Sequence, residues 1–278
     1  MMQLFAKIIF AAVALGMMVP NQALATGPRV TTSLFSPHHN QIHAVDFPPF
    51  VSSEVVDGGV VSEIITTAMR RSEIDAVVTT HPVERMVYYY LLQEKVMAVA
   101  GWHFDFTKAQ REQLIFVPVV SLTERYFYYK PSHPQGLNVA NATDLKGLRY
   151  GAHQGEETER YSKAGAEVVY GRTVTLLKKL QRGEVDFICA PPRSVEWLLE
   201  RYMKNEKQNV IAMPEEAEPD VFYMVFNRQH SLGEQAAEKF RAALIAMEKD
   251  GTLARITSKH FGDGELGGLF LKRLEMIK

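Results

Sequence analysis

Hydrophobic and polar positions follow two different periods along this chain. Short runs rich in Val, Ile and Phe, such as "QIHAVDF" (41–47) and "VMAVAG" (96–101), are typical of strands. Between them, "VVSEIITTAMRR" (60–71) carries apolar residues at helical spacing. Strand-like and helix-like segments alternate in this way along most of the sequence. The pattern therefore predicts an α/β fold in which helices cover the faces of a sheet.

Helical spacing is especially regular in two segments, whose apolar residues we assign to the core. The first segment begins at Pro82, and the second ends at a break at Gly251 that is followed by a further short helix. The apolar positions are Val83, Met86, Val87, Tyr90 and Leu91 in the first segment, and Ala236, Phe240, Ala243, Leu244 and Met247 in the second.

A second block of strands and helices starts after a stretch that is typical of a surface connection. This stretch, "KPSHPQGLNVANAT" (130–143), is rich in Pro, Gly and Asn. The segments beyond it, including "LRYGAHQG" (148–155) and "VEWLLERYMKN" (195–205), repeat the alternation on a smaller scale. The chain is long enough for two modest lobes, and we expect two.

The first residues are typical of an export signal. Lys7 precedes a short apolar run at 8–19, and Ala23-Leu24-Ala25 fits the small-x-small rule for signal cleavage. The apolar run is shorter than the ~20 residues that a spanning helix needs. We therefore predict a signal peptide over residues 1–25, cleavage after Ala25 and a location in the periplasm.

Composition excludes several classes of function. The 31 Lys and Arg residues are balanced by 32 Asp and Glu residues, so the chain offers no basic surface of the kind that binds nucleic acid. Cys189 is the only cysteine, and no internal disulfide can form. No phosphate-binding loop is present, and we expect no cofactor. A metal site built from His38, His39 and His43 stays open as an alternative, although this spacing matches no standard zinc motif.

Five segments, in a fixed order, resemble the bacterial extracellular solute-binding proteins of family 3, which are periplasmic receptors. They are "DFPPF" (46–50), Thr107 followed by Phe116, "DLKGLRYGAHQG" (144–155), "LLKKLQRGEVDFI" (176–188) and "MEKDGTLARITSKHFG" (247–262). Together these segments extend over most of the chain that follows the predicted signal peptide.

This resemblance implies a two-lobe periplasmic-binding-protein fold (type II) whose lobes are joined by two crossing strands. The first lobe would comprise residues 26–123 and 222–278, and the second lobe residues 124–221. The crossings would fall near Leu122–Tyr126 and Pro219–Tyr223. Such a protein closes around a small-molecule ligand and presents it to a membrane partner, either an ABC permease or a sensor. A monomer suits this mechanism.

The residues by which the family holds an α-amino acid are not at their usual places here. Gln110 stands where the family has an Arg that clamps the ligand carboxylate, although the neighbouring Arg111 is a candidate substitute. The segment Gly155-Glu156-Glu157-Thr158 replaces a Gly-Thr-Thr-like helix start, and its acidic residues would repel a carboxylate. Pro191 stands where the family has an Asp that binds the ligand ammonium.

Other residues remain as candidate ligand contacts. Phe47 and Phe50 flank a rigid Pro-Pro corner, and Trp102 and His103 follow a strand end, where open α/β sheets bind ligands. Acidic residues at Asp105, Glu156 and Glu157 would favour a cationic or polyhydroxyl ligand. The full set of predicted ligand-binding residues is Phe47, Phe50, Trp102, His103, Asp105, Gln110, Arg111, Gln154, Glu156, Glu157, Thr158 and Arg193.

Two functions follow from different classes of protein. We predict a binding protein without catalysis that captures a solute for an ABC importer or for a signalling system. The alternative is a dehydratase-like periplasmic enzyme on the same scaffold, in which His103 would act with Asp105 or Glu157 as acid and base.

Overall fold

The computed structural model describes residues 41–83 and 85–262, and their strands form one mixed sheet. The spatial order of its eight strands is β2-β1-β3-β8-β4-β7-β5-β6. The strands are β1 (Gln41–Ala44), β2 (Val77–Thr80), β3 (Ala98–Trp102), β4 (Leu114–Tyr129), β5 (Arg149–Ala152), β6 (Glu167–Tyr170), β7 (Phe187–Ala190) and β8 (Val210–Asn227).

Seven α-helices and several shorter turns connect the strands within the described residues. The helices are α1 (Val60–Arg71), α2 (Lys108–Arg111), α3 (Glu159–Lys163), α4 (Thr173–Gln181), α5 (Pro192–Tyr202), α6 (Gly233–Lys249) and α7 (Thr252–Phe261). A π-helix spans Arg85–Leu91, and 3-10 turns span Val56–Gly58, His103–Asp105, Ala142–Leu145 and Lys204–Asn209.

The sheet consists of two halves, and the two long central strands run through both of them. β4 and β8 pair antiparallel from Leu114–Asn227 at one end to Tyr129–Val210 at the other. We call the part with β1–β3, α1, α6 and α7 the first half, and the part with β5–β7 and α3–α5 the second half. The strands β1–β3 are parallel to one another, as are β5–β7. The predicted crossing segments therefore lie side by side, with Leu122 opposite Asp220.

Each half buries its own apolar residues around its part of the sheet. In the first half, α1 and α6 contribute Ile64, Ile65 and Phe240 to a core that reaches the apolar residues of β3 and β8. In the second half, α4 and α5 contribute Leu177 and Leu198 to a separate core. Burial of these amphipathic faces is the main favourable contribution to folding.

The predicted helical segments carry their apolar residues into the core. All five predicted positions of the C-terminal segment are buried on α6, and Gly251, with φ 76°, separates α6 from α7. The segment that follows Pro82 is a π-helix rather than an α-helix. Its residues Met86, Val87 and Leu91 are nevertheless fully buried.

Several predictions fall outside the part of the chain that the structure describes. The signal peptide at 1–25 lies outside it, as do His38 and His39. The third histidine of that group, His43, is buried on β1, and its Nδ1 is 2.8 Å from the Thr79 hydroxyl. None of the described helices is both long and apolar enough to cross a membrane. The proposed lobe boundaries stay a prediction.

Truncation of Phe240 tests the first-half core. Phe240 is fully buried, and its ring centroid lies 5.7 Å from that of Phe226 on β8. We expect Phe240→Ala to lower the free energy of unfolding by about 3–5 kcal/mol, because it leaves a cavity. Urea unfolding measures this change. Val77→Ala, at a site on the edge strand that is 61% exposed, should change it by less than about 0.5 kcal/mol; similar losses in the two variants would contradict the assignment.

Candidate functional site

A cavity of about 450 Å³ opens beside the segments where β4 and β8 cross from one half to the other. Both halves and both crossing strands contribute to its wall. Its lining consists of Phe47, Trp102, His103 and Phe104 from the first half, Glu124, Glu218, Pro219 and Asp220 from the long strands, and His153, Glu156, Glu157, Glu159, Arg160 and Pro191 from the second half.

The first half contributes an aromatic wall. Trp102 ends β3, and its ring lies edge-on to Phe47 at 4.7 Å and stacks on Phe104 at 5.6 Å between ring centroids. Phe222, a fully buried residue of β8, lies edge-on to Trp102 with 4.8 Å between ring centroids. A wall of this kind suits the apolar or cationic part of a ligand, because aromatic faces attract cations.

The long strands contribute carboxyl groups that burial holds partly protonated. Burial, together with the charge of Asp220, raises the pKa of Glu124 to about 8. Burial likewise raises the pKa of Asp220 to about 6. The Glu124 carboxyl accepts a hydrogen bond from the Cys189 thiol at 3.1 Å between Sγ and Oε2. With these pKa values, the Glu124 carboxyl holds its proton at neutral pH while the cavity contains no cation.

Glu156 lines the cavity but already has two hydrogen-bond donors. The Tyr150 hydroxyl donates to its Oε1 and the His153 amide to its Oε2, so the carboxyl group fixes the loop between β5 and α3. Burial raises the pKa of Glu156. The His153 ring lies 3.2 Å from the Thr173 hydroxyl, and burial lowers the pKa of His153 to about 4. His153 is therefore neutral at physiological pH.

Arg160 is the one Arg or Lys side chain among the residues that line the cavity. Its Nη2 donates to the Tyr161 hydroxyl at 2.6 Å and to the Tyr126 hydroxyl at 3.2 Å. The centre of the guanidinium lies 4.7 Å from the centroid of the Tyr161 ring. The cavity thus has six carboxyl groups and a single guanidinium.

Direct contacts join the two halves around the cavity. The Ser194 hydroxyl on α5 donates to the Pro48 carbonyl at 2.7 Å. Near the far end of α5, Tyr202 donates to the Glu54 carboxylate at 2.9 Å. Gly155, with φ 86°, packs so closely that a β-carbon built there would lie 2.6 Å from the carbonyl oxygen of Phe104. The halves are therefore in contact at three places.

Five of the residues predicted to contact a ligand lie together in this lining. They are Phe47, Trp102, His103, Glu156 and Glu157. Although His103 is exposed as a residue, partial desolvation of its ring lowers its pKa, and the charge of Arg111 lowers it further. The ligand role of these five residues stays a prediction, and the geometry is consistent with it.

Three predicted residues instead stabilise the loop after β3. The Asp105 carboxylate accepts the Trp102 amide at 2.8 Å, and the Arg111 Nε donates to the carbonyl oxygens of His103 and Phe106. Gln110 forms a reciprocal capping box with Thr107 at the start of α2. These side chains position the aromatic wall and are not themselves part of the lining.

The other four predicted residues also lie outside the lining. Phe50 is buried against Phe47, and Thr158 is buried with its hydroxyl 2.9 Å from that of Tyr170. Gln154 is exposed. Arg193 is exposed on the first turn of α5, where it forms an ion pair with Glu196 at 3.3 Å.

The sequence analysis missed most of the charged groups of the cavity. Glu124, Glu218 and Asp220 lie in or next to the segments that it identified only as crossings. Arg160 belongs to a five-residue helix, which is too short for a periodic pattern. Pro191 was noted only as the residue that replaces an Asp, and it does line the cavity. The one feature of the sequence that could have indicated these groups was an acidic residue within each predicted crossing segment.

Removal of the Glu124 carboxyl should change how stability depends on pH. The pKa of this group is about 8 in the folded chain, against an ordinary value of 4.5, so between these limits the folded state binds a proton that the unfolded state releases. The contribution to stability is complete below about pH 4.5 and is lost as the pH rises to about 8. Glu124→Gln should therefore flatten the fall in the free energy of unfolding over this window.

Urea unfolding at several pH values between 5 and 8 measures this slope. Glu112→Gln removes an exposed carboxyl that lies outside the cavity lining and should keep the wild-type slope. If both variants follow the wild-type pH profile, Glu124 does not hold its proton in the folded protein.

Comparisons with known proteins identify relatives by structure alone. No family model matches the sequence, and no curated protein matches it. Many solved structures, by contrast, superimpose on the chain, and the following three each cover about four fifths of it. The first is an ancestral arginine-binding protein bound to glutamine, with 21% identity, a TM-score of 0.60 and coverage of 82% of this chain and 100% of that one. The second is a probable amino-acid ABC transporter extracellular-binding protein from Bacillus subtilis, with 19% identity, a TM-score of 0.59 and coverage of 81% and 99%. The third is a histidine kinase sensor domain with similarity to periplasmic binding proteins, with 16% identity, a TM-score of 0.62 and coverage of 81% and 97%.

These identities are too low to transfer a ligand, but the extent of the superposition is decisive for the architecture. The paired strands β4 and β8 are the two crossing strands that the sequence resemblance implied. The resemblance to solute-binding proteins is thus confirmed at the level of the fold. The chain has the two-lobe fold of the periplasmic binding proteins.

Proposed function

We propose that this protein captures a small organic cation in the cavity between its halves and presents it to a membrane partner. The observation that carries the proposal is the composition of the cavity, in which six carboxyl groups and an aromatic wall surround space for a small molecule. A volume of about 450 Å³ falls in the range of small-molecule sites. The fold supports a binding role, since its structural neighbours are binding and sensor proteins.

Charge is the main argument for a cationic ligand. A carboxylate is costly to bury, and the raised pKa values of Glu124 and Asp220 reflect that cost. An ammonium or guanidinium group placed between them would favour their ionised forms. Binding would then release protons while it forms charge-assisted hydrogen bonds. An anionic ligand would gain none of this.

The membrane partner is proposed from the neighbours and from the sequence. One neighbour is described as an ABC transporter binding protein, which supports delivery to an importer, and another as a histidine kinase sensor domain, which supports signalling. The predicted signal peptide supports export to the periplasm in either case. A monomer satisfies both roles.

The enzyme alternative has less support. It needs His103 to exchange a proton with Asp105 or Glu157, but the Asp105 carboxylate accepts the Trp102 amide and does not line the cavity. His103 and Glu157 do line it together. Turnover of prephenate or arogenate that is lost in His103→Ala would establish this alternative in place of simple binding.

Calorimetric titration with a set of small molecules tests the proposal. We expect binding of organic cations such as L-arginine, L-lysine, agmatine and putrescine, and none of L-glutamate or neutral sugars. Asp220→Asn keeps the oxygen that accepts the Val221 amide but removes the charge, and should weaken cation binding at least tenfold, or by about 1.4 kcal/mol. X-ray scattering should show compaction when the cation binds.

Glu112→Gln is the matched control, because it removes one carboxylate from an exposed position outside the cavity. It should leave the dissociation constant unchanged. Selective binding of anions, or equal losses in Asp220→Asn and Glu112→Gln, would refute a cation site in the cavity.

The hydrogen bond between Ser194 and Pro48 should raise the affinity for the ligand, although it is a contact between the halves and not with the ligand. Its buried hydrogen bond is 2.7 Å long and joins the two halves. If the ligand binds between closed halves, Ser194→Ala lowers the fraction of closed molecules and should weaken binding about 3- to 10-fold, mainly through faster dissociation. Stopped-flow kinetics with the best cation of the set measures this rate.

Ser72→Ala provides the comparison for this prediction. Ser72 is also buried, but its hydroxyl donates to the carbonyl oxygen of Ala68 in α1. Its removal therefore breaks no contact between the halves. Its dissociation rate should equal that of the wild type. Equal rates in Ser194→Ala and the wild type would exclude a role of this contact in closure.

A further inference from the structure

The proposed function leaves two classes of organic cation open. A primary amine or a guanidinium carries N–H donors, whereas a quaternary ammonium surrounds its charge with alkyl groups alone. The aromatic wall formed by Phe47, Trp102 and Phe104 suits both classes, because the attraction between a cation and an aromatic face does not require an N–H donor. A neutral hydrogen-bond acceptor in the lining would distinguish them.

His153 is held in place at the cavity from the second half. It directly follows β5 and lines the cavity. Its backbone amide donates to the Glu156 carboxylate at 2.9 Å, and its carbonyl accepts from the Glu156 amide at 3.2 Å. Its ring has the Thr173 hydroxyl 3.2 Å from Nε2. Because backbone and ring are both positioned before a ligand arrives, binding costs this side chain little further entropy.

The two ring nitrogens of His153 have different surroundings. Nε2 lies next to Thr173, which is buried at the start of α4 and is not part of the lining. Nδ1 has no hydrogen-bond partner among the described residues, and it is not one of the fully enclosed side-chain atoms there. Since His153 lines the cavity, Nδ1 is the polar ring atom that remains for a ligand.

Whether Nδ1 donates or accepts depends on where the ring carries its proton. In a neutral imidazole one nitrogen donates and the other accepts. The Thr173 hydroxyl can accept from Nε2–H, which leaves Nδ1 as the acceptor, and a cation favours this tautomer because it offers donors only. Burial lowers the pKa of His153 to about 4, so near neutral pH the ring has no positive charge that would repel a cation.

We infer that His153 is a specificity-determining residue of the cavity, and that its Nδ1 accepts a hydrogen bond from an N–H group at the cationic end of the ligand. Thr173 is a positioning residue, because it holds the ring and its tautomer without lining the cavity. The inference rests on the proposed function and narrows the ligand class to amines and guanidinium compounds. A quaternary ammonium would cover Nδ1 without giving it a donor, and this loss lowers its affinity.

Matched pairs of ligands that differ only in N-methylation test the inference. Putrescine and its hexamethyl derivative form one pair, and cadaverine and its hexamethyl derivative form another. We expect calorimetry to show that the wild type binds the amine of at least one pair about tenfold or more tightly than its methylated partner. His153→Leu should lower this ratio at least about fivefold, because a hydrogen bond to a charged group is lost, and should change the affinity for the methylated ligand by no more than about twofold.

Two substitutions at Thr173 test its positioning role. Thr173→Val removes the hydroxyl that holds the ring and should lower the ratio about threefold, whereas Thr173→Ser keeps the hydroxyl and should retain the wild-type ratio. A general loss of stability would weaken both ligands of a pair alike, so it would leave the ratio unchanged. Thermal unfolding checks that each variant folds, and Thr173→Val alone decides if His153→Leu does not.

His133→Leu is the matched control for His153→Leu. His133 also belongs to the second half, but it lies outside the lining, with its Nε2 3.3 Å from the Asp186 carboxylate. This variant should keep the wild-type ratio.

The inference is overturned if the wild type binds both members of each pair equally, or if His153→Leu keeps the wild-type ratio. A ratio that falls in His153→Leu but not in Thr173→Val supports the ligand contact and excludes the role of Thr173. In each of these cases cation binding, and with it the proposed function, would stand. If no cation binds at all, the proposed function and this inference both fail.

Discussion

The antiparallel pairing of β4 and β8 is the constraint on which the rest of this structure depends. These strands run through both halves, so each half is built against the same two segments of backbone. Their register is irregular near the crossing, with shifts between Leu122 and Glu124 and between Arg125 and Phe127. Irregularities of this kind redirect side chains. They occur on both sides of Glu124, whose side chain lines the cavity.

Electrostatics in the cavity follows from this placement. A strand interior is a costly location for a carboxylate, and the chain lowers the cost by protonation of Glu124 and by the thiol of Cys189. In the second half, the Glu156 carboxyl is stabilised in another way, because it accepts hydrogen bonds from a tyrosine hydroxyl and a backbone amide. Carboxyl groups in the same wall thus differ in their surroundings: Glu156 holds a loop, whereas burial raises the pKa of Glu124.

The sequence predicts the fold well and the site only in part. Helical spacing located α6 to within a few residues, because burial of residues such as Phe240 and Leu244 imposes a periodic pattern. Trp102 was found because it stands at the end of a predicted strand, and Glu156 because the family resemblance pointed to its segment. Arg160 was missed because its position depends on contacts with Tyr126, which is distant in the sequence. Arg111 was a plausible substitute clamp in the sequence, but its Nε donates to two backbone carbonyls and the residue does not line the cavity.

The close approach of Gly155 to the Phe104 carbonyl has a consequence for how this protein could change over evolutionary time. A single added methyl group at position 155 would meet backbone rather than a flexible side chain, so the halves could not keep their present separation. The side chains that form the aromatic wall and the charged groups would keep their chemical identity, although the backbone of Phe104 would have to move. The residues that line the cavity and the glycine that lets the halves approach each other are therefore separate positions, so a substitution at position 155 can change the spacing of the halves while the lining residues stay the same.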